Sequence, residues 1–173
     1  MAIDFSFDTV IDDKTYVNKF STATGLSERF LECCRDLIVK TEFPNVECSI
    51  DEYVSGGIFF NREKTKMLSM SFKQSTFKQL GVFFRAQQFG NIVIFTKYET
   101  IEQKFWDADN RDALVNVRKK CKNVAQWEEF VALRKLGDIV FWDGLRTVDP
   151  GYEAKQKLAS LAPGSESSAG SSS

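Results

Sequence analysis

Histidine is absent from this 173-residue chain. Without an imidazole there is no ordinary general acid/base for neutral pH, no usual partner for a Ser or Cys nucleophile, and none of the commonest zinc ligand. Cysteine is scarce. Cys33 and Cys34 adjoin, Cys48 and Cys121 stand alone, and neither a disulfide scaffold nor a Cys-x-x-Cys spacing is present. The four read as small hydrophobes, the adjacent two on a helix. No apolar run reaches bilayer length, and there is no Asn-x-Ser/Thr sequon or lipidation pattern. The start, Met1-Ala2-Ile3-Asp4-Phe5, lacks the basic and apolar regions of a signal peptide. No Gly-x-Ser-x-Gly or phosphate-cradling Gly-rich loop occurs. Together these absences predict a cytoplasmic protein with no metal, no cofactor and no membrane segment. An enzyme built this way would have to work with carboxylates, Lys or Tyr, so the expectation is a protein that is not an enzyme.

What is present describes a globular chain: 43% hydrophobic, 27% charged, with sixteen phenylalanines. Its length suits one domain. Residues 1–163 are expected to form it, and Ser/Gly-rich 164–173 to be a disordered tail.

Charge is unevenly spread. Residues 59–98 carry seven basic side chains against Glu63, with nine aromatics interleaved. Residues 1–58 carry five basic and eleven acidic side chains, and 99–173 eleven and twelve. One positive patch on a near-neutral protein attracts partners of opposite sign.

Periodicity predicts an α+β fold, with a largely antiparallel meander packed against two or three helices. Alternation over 3–10 reads as a strand that Asp12-Asp13-Lys14 breaks. Leu26, Phe30, Cys33, Cys34, Leu37 and Ile38 fall at helical spacing over 25–42, with Thr24 as N-cap. Strands are expected near 46–54, 57–61, 66–73, 78–87 and 91–98. Two helices follow. The first opens at Asp109 or Asn110, and the second is capped by Asn123 with Gln126 and stopped by Gly137. Asp143-Gly144 between Ile139–Trp142 and Leu145–Val148 reads as a hairpin turn, and 152–161 as a short helix.

The candidate site is a face of the meander. Phe83 and Arg85 project from one strand, Phe95 and Lys97 from the next, and Lys73 is placed with them. Arg118, Lys119 and Lys120 extend the basic track. Such a face suits an acidic protein partner, as in an adaptor, a dedicated chaperone or an inhibitor. A single-stranded nucleic acid is the alternative, since rings stack on bases and cations follow phosphates; the pI of 5.6 stands against it. A histidine-free enzyme is the second alternative. Two bland readings compete with all three. The aromatics could lie beneath a helix with lysine stems at the edge, or the face could dock against the acidic N-terminal part. The acidic stretch 107–112 fails as an EF-hand, because Arg111, Asp112 and Arg118 stand where a ligand, glycine and glutamate are needed.

Overall fold

The computed structural model describes residues 5–55, 63–105 and 113–161. Five antiparallel strands form one sheet: β1 Val10–Lys19, β2 Val46–Ser55, β3 Glu63–Phe72, β4 Gly81–Phe89 and β5 Ile92–Thr100. Their spatial order is β1-β5-β4-β3-β2. The expected meander is therefore β2 to β5, and β1 returns along the free edge of β5. The helices are α1 Leu26–Lys40, α2 Ala113–Lys120, α3 Val124–Val148 and α4 Tyr152–Leu161. The α+β class follows from the sequence as expected, with α1 and α3 laid on one face of the sheet.

α1 buries Phe30, Leu31, Cys34 and Ile38, a stripe at helical spacing. Phe30 meets Phe95 of β5 edge-on at 4.9 Å and Phe141 of α3 at 6.0 Å, which joins both helices to the sheet. The N-cap is Gly25 at φ 76°, not Thr24, and no side chain caps the helix.

α3 departs furthest from expectation. It runs through both Gly137 and Asp143-Gly144, where the sequence suggests a stop and a hairpin. The two glycines lie seven residues apart, two helical turns, and so share a face. A Cβ on Gly137 would sit 2.9 Å from Val82 Cγ1, and one on Gly144 would sit 2.5 Å from Cys34 Sγ. They let the helix approach β4 and α1 closely, and tertiary packing overrides their turn propensity. At its start the helix follows the sequence: Asn123 Oδ1 accepts from the Gln126 amide at 2.9 Å.

β1 is the second correction. The residues before it make a short 3₁₀ turn, Phe7–Thr9, and the strand then runs through Asp12, Asp13 and Lys14. Charged residues fit there because Asp13 faces water while Asp12 and Lys14 find partners on α3. The strand expected at 57–61, the acidic stretch 107–112 and the tail 164–173 lie outside the described residues. Among the described residues no helix is long and apolar enough to cross a membrane.

Candidate functional site

The residues expected to share one face do not. β4 and β5 are joined by the two-residue turn Gly90-Asn91, so Phe89 pairs with Ile92, Phe83 with Tyr98, Arg85 with Thr96 and Phe84 with Lys97. Paired residues project to the same side. Phe83 and Arg85 therefore lie on the face away from the helices, and Phe95 and Lys97 on the face beneath them. Placing the turn one residue differently inverts this assignment.

Phe95 is 0% exposed, packed against Tyr16, Phe20 and Phe30. Phe83 is likewise 0% exposed although it faces away from the helices. Phe5 crosses that side and contacts Phe83 at 5.1 Å, with Tyr53 and Tyr98 beside it. Lys73 is exposed just beyond β3, its amide donating to the Asn45 carbonyl at 2.6 Å. Arg118, Lys119 and Lys120 are exposed in the last turn of α2, where cations suit the helix dipole. Arg118 also rests over the Trp127 ring.

Lys97 belongs to an internal charge network. Across β1 and β5, Asp12 stands opposite Glu99 and Lys14 opposite Lys97. Like charges in register repel. α3 resolves both clashes with two residues four apart. Arg134 donates to Glu99 and to Asp12, while Asp138 accepts from Lys14 at 2.7 Å and from Lys97. Lys97 also pairs with Glu99, and both are essentially buried. Burial pushes the Asp138 carboxyl up, but its bonds from Lys14 and Lys97 outweigh this and hold its pKa below the usual carboxylate range.

A second buried carboxylate closes the end of α3. Asp149 accepts from Tyr16 at 2.8 Å, Asn18 at 2.6 Å and Lys155 at 3.0 Å. Burial raises its pKa, the three donors lower it, and the donors win. Burial and the Asp149 carboxylate both push the Tyr16 phenol up.

The accessible cations of the basic segment meet elsewhere, at an opening in the sheet. β3 pairs with β2 from Val46–Phe72 to Ser55–Glu63, and β4 with β5 over all of Gly81–Phe89. Between β3 and β4 the ladder holds only Leu68–Phe84, Ser69–Phe83 and Met70–Val82. Beyond Leu68 and Phe84 the two strands part. A cleft of about 230 Å³ lies there, lined by Lys64, Thr65 and Lys66 of β3 and by Arg85 to Gln88 of β4. Ser27, Glu28 and Leu31 of α1 line it from the helix side. Side chains alternate along a strand, so consecutive residues can line one cavity only where it runs along the strand's edge. Arg85 reaches across, its Nη2 3.5 Å from Thr65 Oγ1. Arg85 Nε and Ser27 Oγ are buried atoms with no hydrogen-bond partner, and both belong to residues that line the cleft. Lys64 pairs loosely with Glu52 at 3.5 Å, both mostly exposed.

No family model matches the chain, and no curated protein matches it. Two solved structures show a faint likeness. One is the open form of the exocytosis-sensitive phosphoprotein pp63/parafusin from Paramecium, a phosphoglucomutase. It is 12% identical over 72% of this chain and 20% of that one, at a TM-score of 0.33. The other is the di-domain ARO/CYC StfQ of the steffimycin biosynthetic pathway. It is 9% identical over 87% of this chain and 53% of that one, also at 0.33. The chain spans about a fifth and about half of their lengths, and the likeness is too slight to carry either fold or function across.

Of the eight residues singled out from sequence, only Arg85 lines the cleft. Lys64, Lys66 and Ser27 were missed, yet β3 held a signal. Its helix-side positions read Lys64, Lys66, Leu68, Met70, Phe72, a face that turns from basic to apolar halfway along. Among the described residues no group of three or more Cys, Asp and Glu is placed to hold a metal. The cleft sets three cations, Lys64, Lys66 and Arg85, against one carboxylate, Glu28, beside unpaired strand edges, a net positive lining suited to an anion.

Proposed function

We propose that this chain is a non-catalytic binding protein that engages an acidic protein partner through the cleft between β3 and β4. The unpartnered Arg85 Nε carries this reading. A buried donor on a charged group is costly when left unmade, and few persist without a ligand, ion or water to take them up. Lys64 and Lys66 line the same cleft from the helix side, so an acceptor drawn into it would be anionic. The non-catalytic part rests on where the buried charges go. Lys97, Glu99 and Asp149 are each held by internal partners and none lines the cleft.

A single-stranded nucleic acid needs open rings beside cations. Phe83 and Phe95, the rings expected to stack, are both fully covered, which leaves Phe89 as the open ring of the 85–89 segment and makes the protein partner the better supported reading. The test is fluorescence anisotropy with labelled decaglutamate and with single-stranded RNA and DNA, from about 50 to 300 mM salt. Decaglutamate binding that weakens with salt, with nucleic acid binding no tighter, is expected. Tighter binding of RNA or DNA, or no binding of the peptide at low salt, refutes the reading.

A further inference from the structure

We propose that the cleft takes its partner as an added β-strand: an extended segment bearing a contiguous run of acidic residues, laid along the free inner edges of β3 and β4. The inference rests on the reading of the protein as a binder of acidic partners and specifies how it binds them.

Three observations carry it. The first is backbone. Residues 63–67 of β3 and 85–89 of β4 have neighbours on their outer sides and no ladder between them. Alternate N–H and C=O groups on both strands therefore face the opening, the arrangement that strand addition uses. Five residues of strand span roughly 17 Å, which sets the length of the segment.

The second is the distribution of charge across the two faces. Lys64 and Lys66 pair with Val54 and Glu52 and project to the helix side, whereas Arg85 pairs with Thr96 and projects to the other. A strand lying between them sends successive side chains up and down. One set of carboxylates then meets Arg85 and the alternate set meets the lysines. An acidic run satisfies both faces, and an alternating Glu/Thr strand satisfies only one.

The third is Arg85 Nε and Ser27 Oγ, buried without partners on either side of the opening. Lysines on an open edge are also a common defence against edge-to-edge aggregation. Defence alone gives no reason to bury an arginine donor unpaired, whereas a carboxylate on the incoming strand does.

The experiment compares labelled decaglutamate with two relatives, one with alternate backbone nitrogens methylated and one of alternating Glu and Thr. Methylation leaves every charge in place and removes hydrogen-bond donors. Strand addition predicts that it weakens binding at least about tenfold, and that the alternating peptide binds weakly as well. Arg85→Gln should weaken binding by about tenfold or more, while the double variant K119Q/K120Q on α2 stays within about twofold. In the unmodified protein, hydrogen exchange should slow at 63–67 and 85–89 on adding decaglutamate, a readout that does not depend on a variant folding. Methylated peptide binding as tightly as its parent, or no added protection at those amides, overturns strand addition while an acidic partner stands. Failure of decaglutamate to bind at all overturns both.

Discussion

Replacing Gly144 by alanine tests whether α3 is held at contact distance from α1. Two effects oppose each other. Alanine in a helix interior is favoured over glycine by about 1 kcal/mol. The new Cβ, however, would lie 2.5 Å from Cys34 Sγ and 3.2 Å from Phe30 Cε2. Carbon packs comfortably at about 3.5–4.0 Å, so the sulfur must give way by roughly 1 Å. Cys34 and Phe30 are both 0% exposed, which leaves little room to yield. Overpacking of this kind costs about 1–3 kcal/mol, and with both neighbours fully buried the upper half of that range applies. The net expectation for Gly144→Ala is a loss of about 1–2 kcal/mol, or a few degrees in Tm for a domain of this size.

The decisive measurement is the cycle with Cys34→Ala. That substitution alone opens a small cavity and costs about 1 kcal/mol. In its background the added methyl meets no sulfur, so Gly144→Ala becomes neutral or stabilising by up to about 1 kcal/mol. Urea denaturation of the four proteins gives the coupling, expected near 2 kcal/mol. Additivity within about 0.5 kcal/mol, or a Gly144→Ala protein more stable than its parent, would refute close packing at this point.

Two other substitutions probe the buried charges. Lys97→Met leaves Glu99 and Asp138 short of one cation in a network that otherwise balances three with three, and it should cost about 3 kcal/mol or more in urea denaturation. Asp149 has a depressed pKa, so its contribution is complete above the unfolded value near 4 and is lost as pH falls through the folded one. Asp149→Asn should therefore lower stability by about 2 kcal/mol at pH 7, with the gap to the parent closing as the pH falls below the unfolded value and through the depressed folded one. A gap that stays constant with pH would show that the carboxylate charge contributes nothing.

Much of the architecture was legible because local and tertiary preferences agree. The stripe Phe30, Cys34, Ile38 marks α1, and Asn123 with Gln126 marks the start of α3. The alternating runs from Val46 onward give the meander. Where they disagree, the sequence misleads. Asp143-Gly144 carries a strong turn signal, but the close approach of Cys34 uses Gly144 for its missing Cβ. Asp12, Asp13 and Lys14 look like a strand end until Arg134 and Asp138, more than a hundred residues later, supply partners. The candidate face failed for a narrower reason. Phe83 with Arg85, and Phe95 with Lys97, were each correctly grouped within their own strand. Only the turn length decides whether the two groups share a side, and two residues at Gly90-Asn91 put them on opposite sides.

The opening between β3 and β4 has a cause in the same alternation. Continued in register, the ladder would set Lys66 beside Ala86 and Lys64 beside Gln88 on the helix side, next to Leu31 of α1. Zipping closed would draw the ammonium groups towards that apolar surface, at a desolvation cost that a few backbone hydrogen bonds of about 1 kcal/mol each do not repay. One step earlier, Leu68 beside Phe84 and Met70 beside Val82 bury apolar surface instead, and there the strands do pair. Pairing thus ends where β3 changes from apolar to basic. The charge that made residues 59–98 conspicuous is what keeps the sheet open, and carboxylates on a strand laid between β3 and β4 would offset that charge without the two strands having to meet.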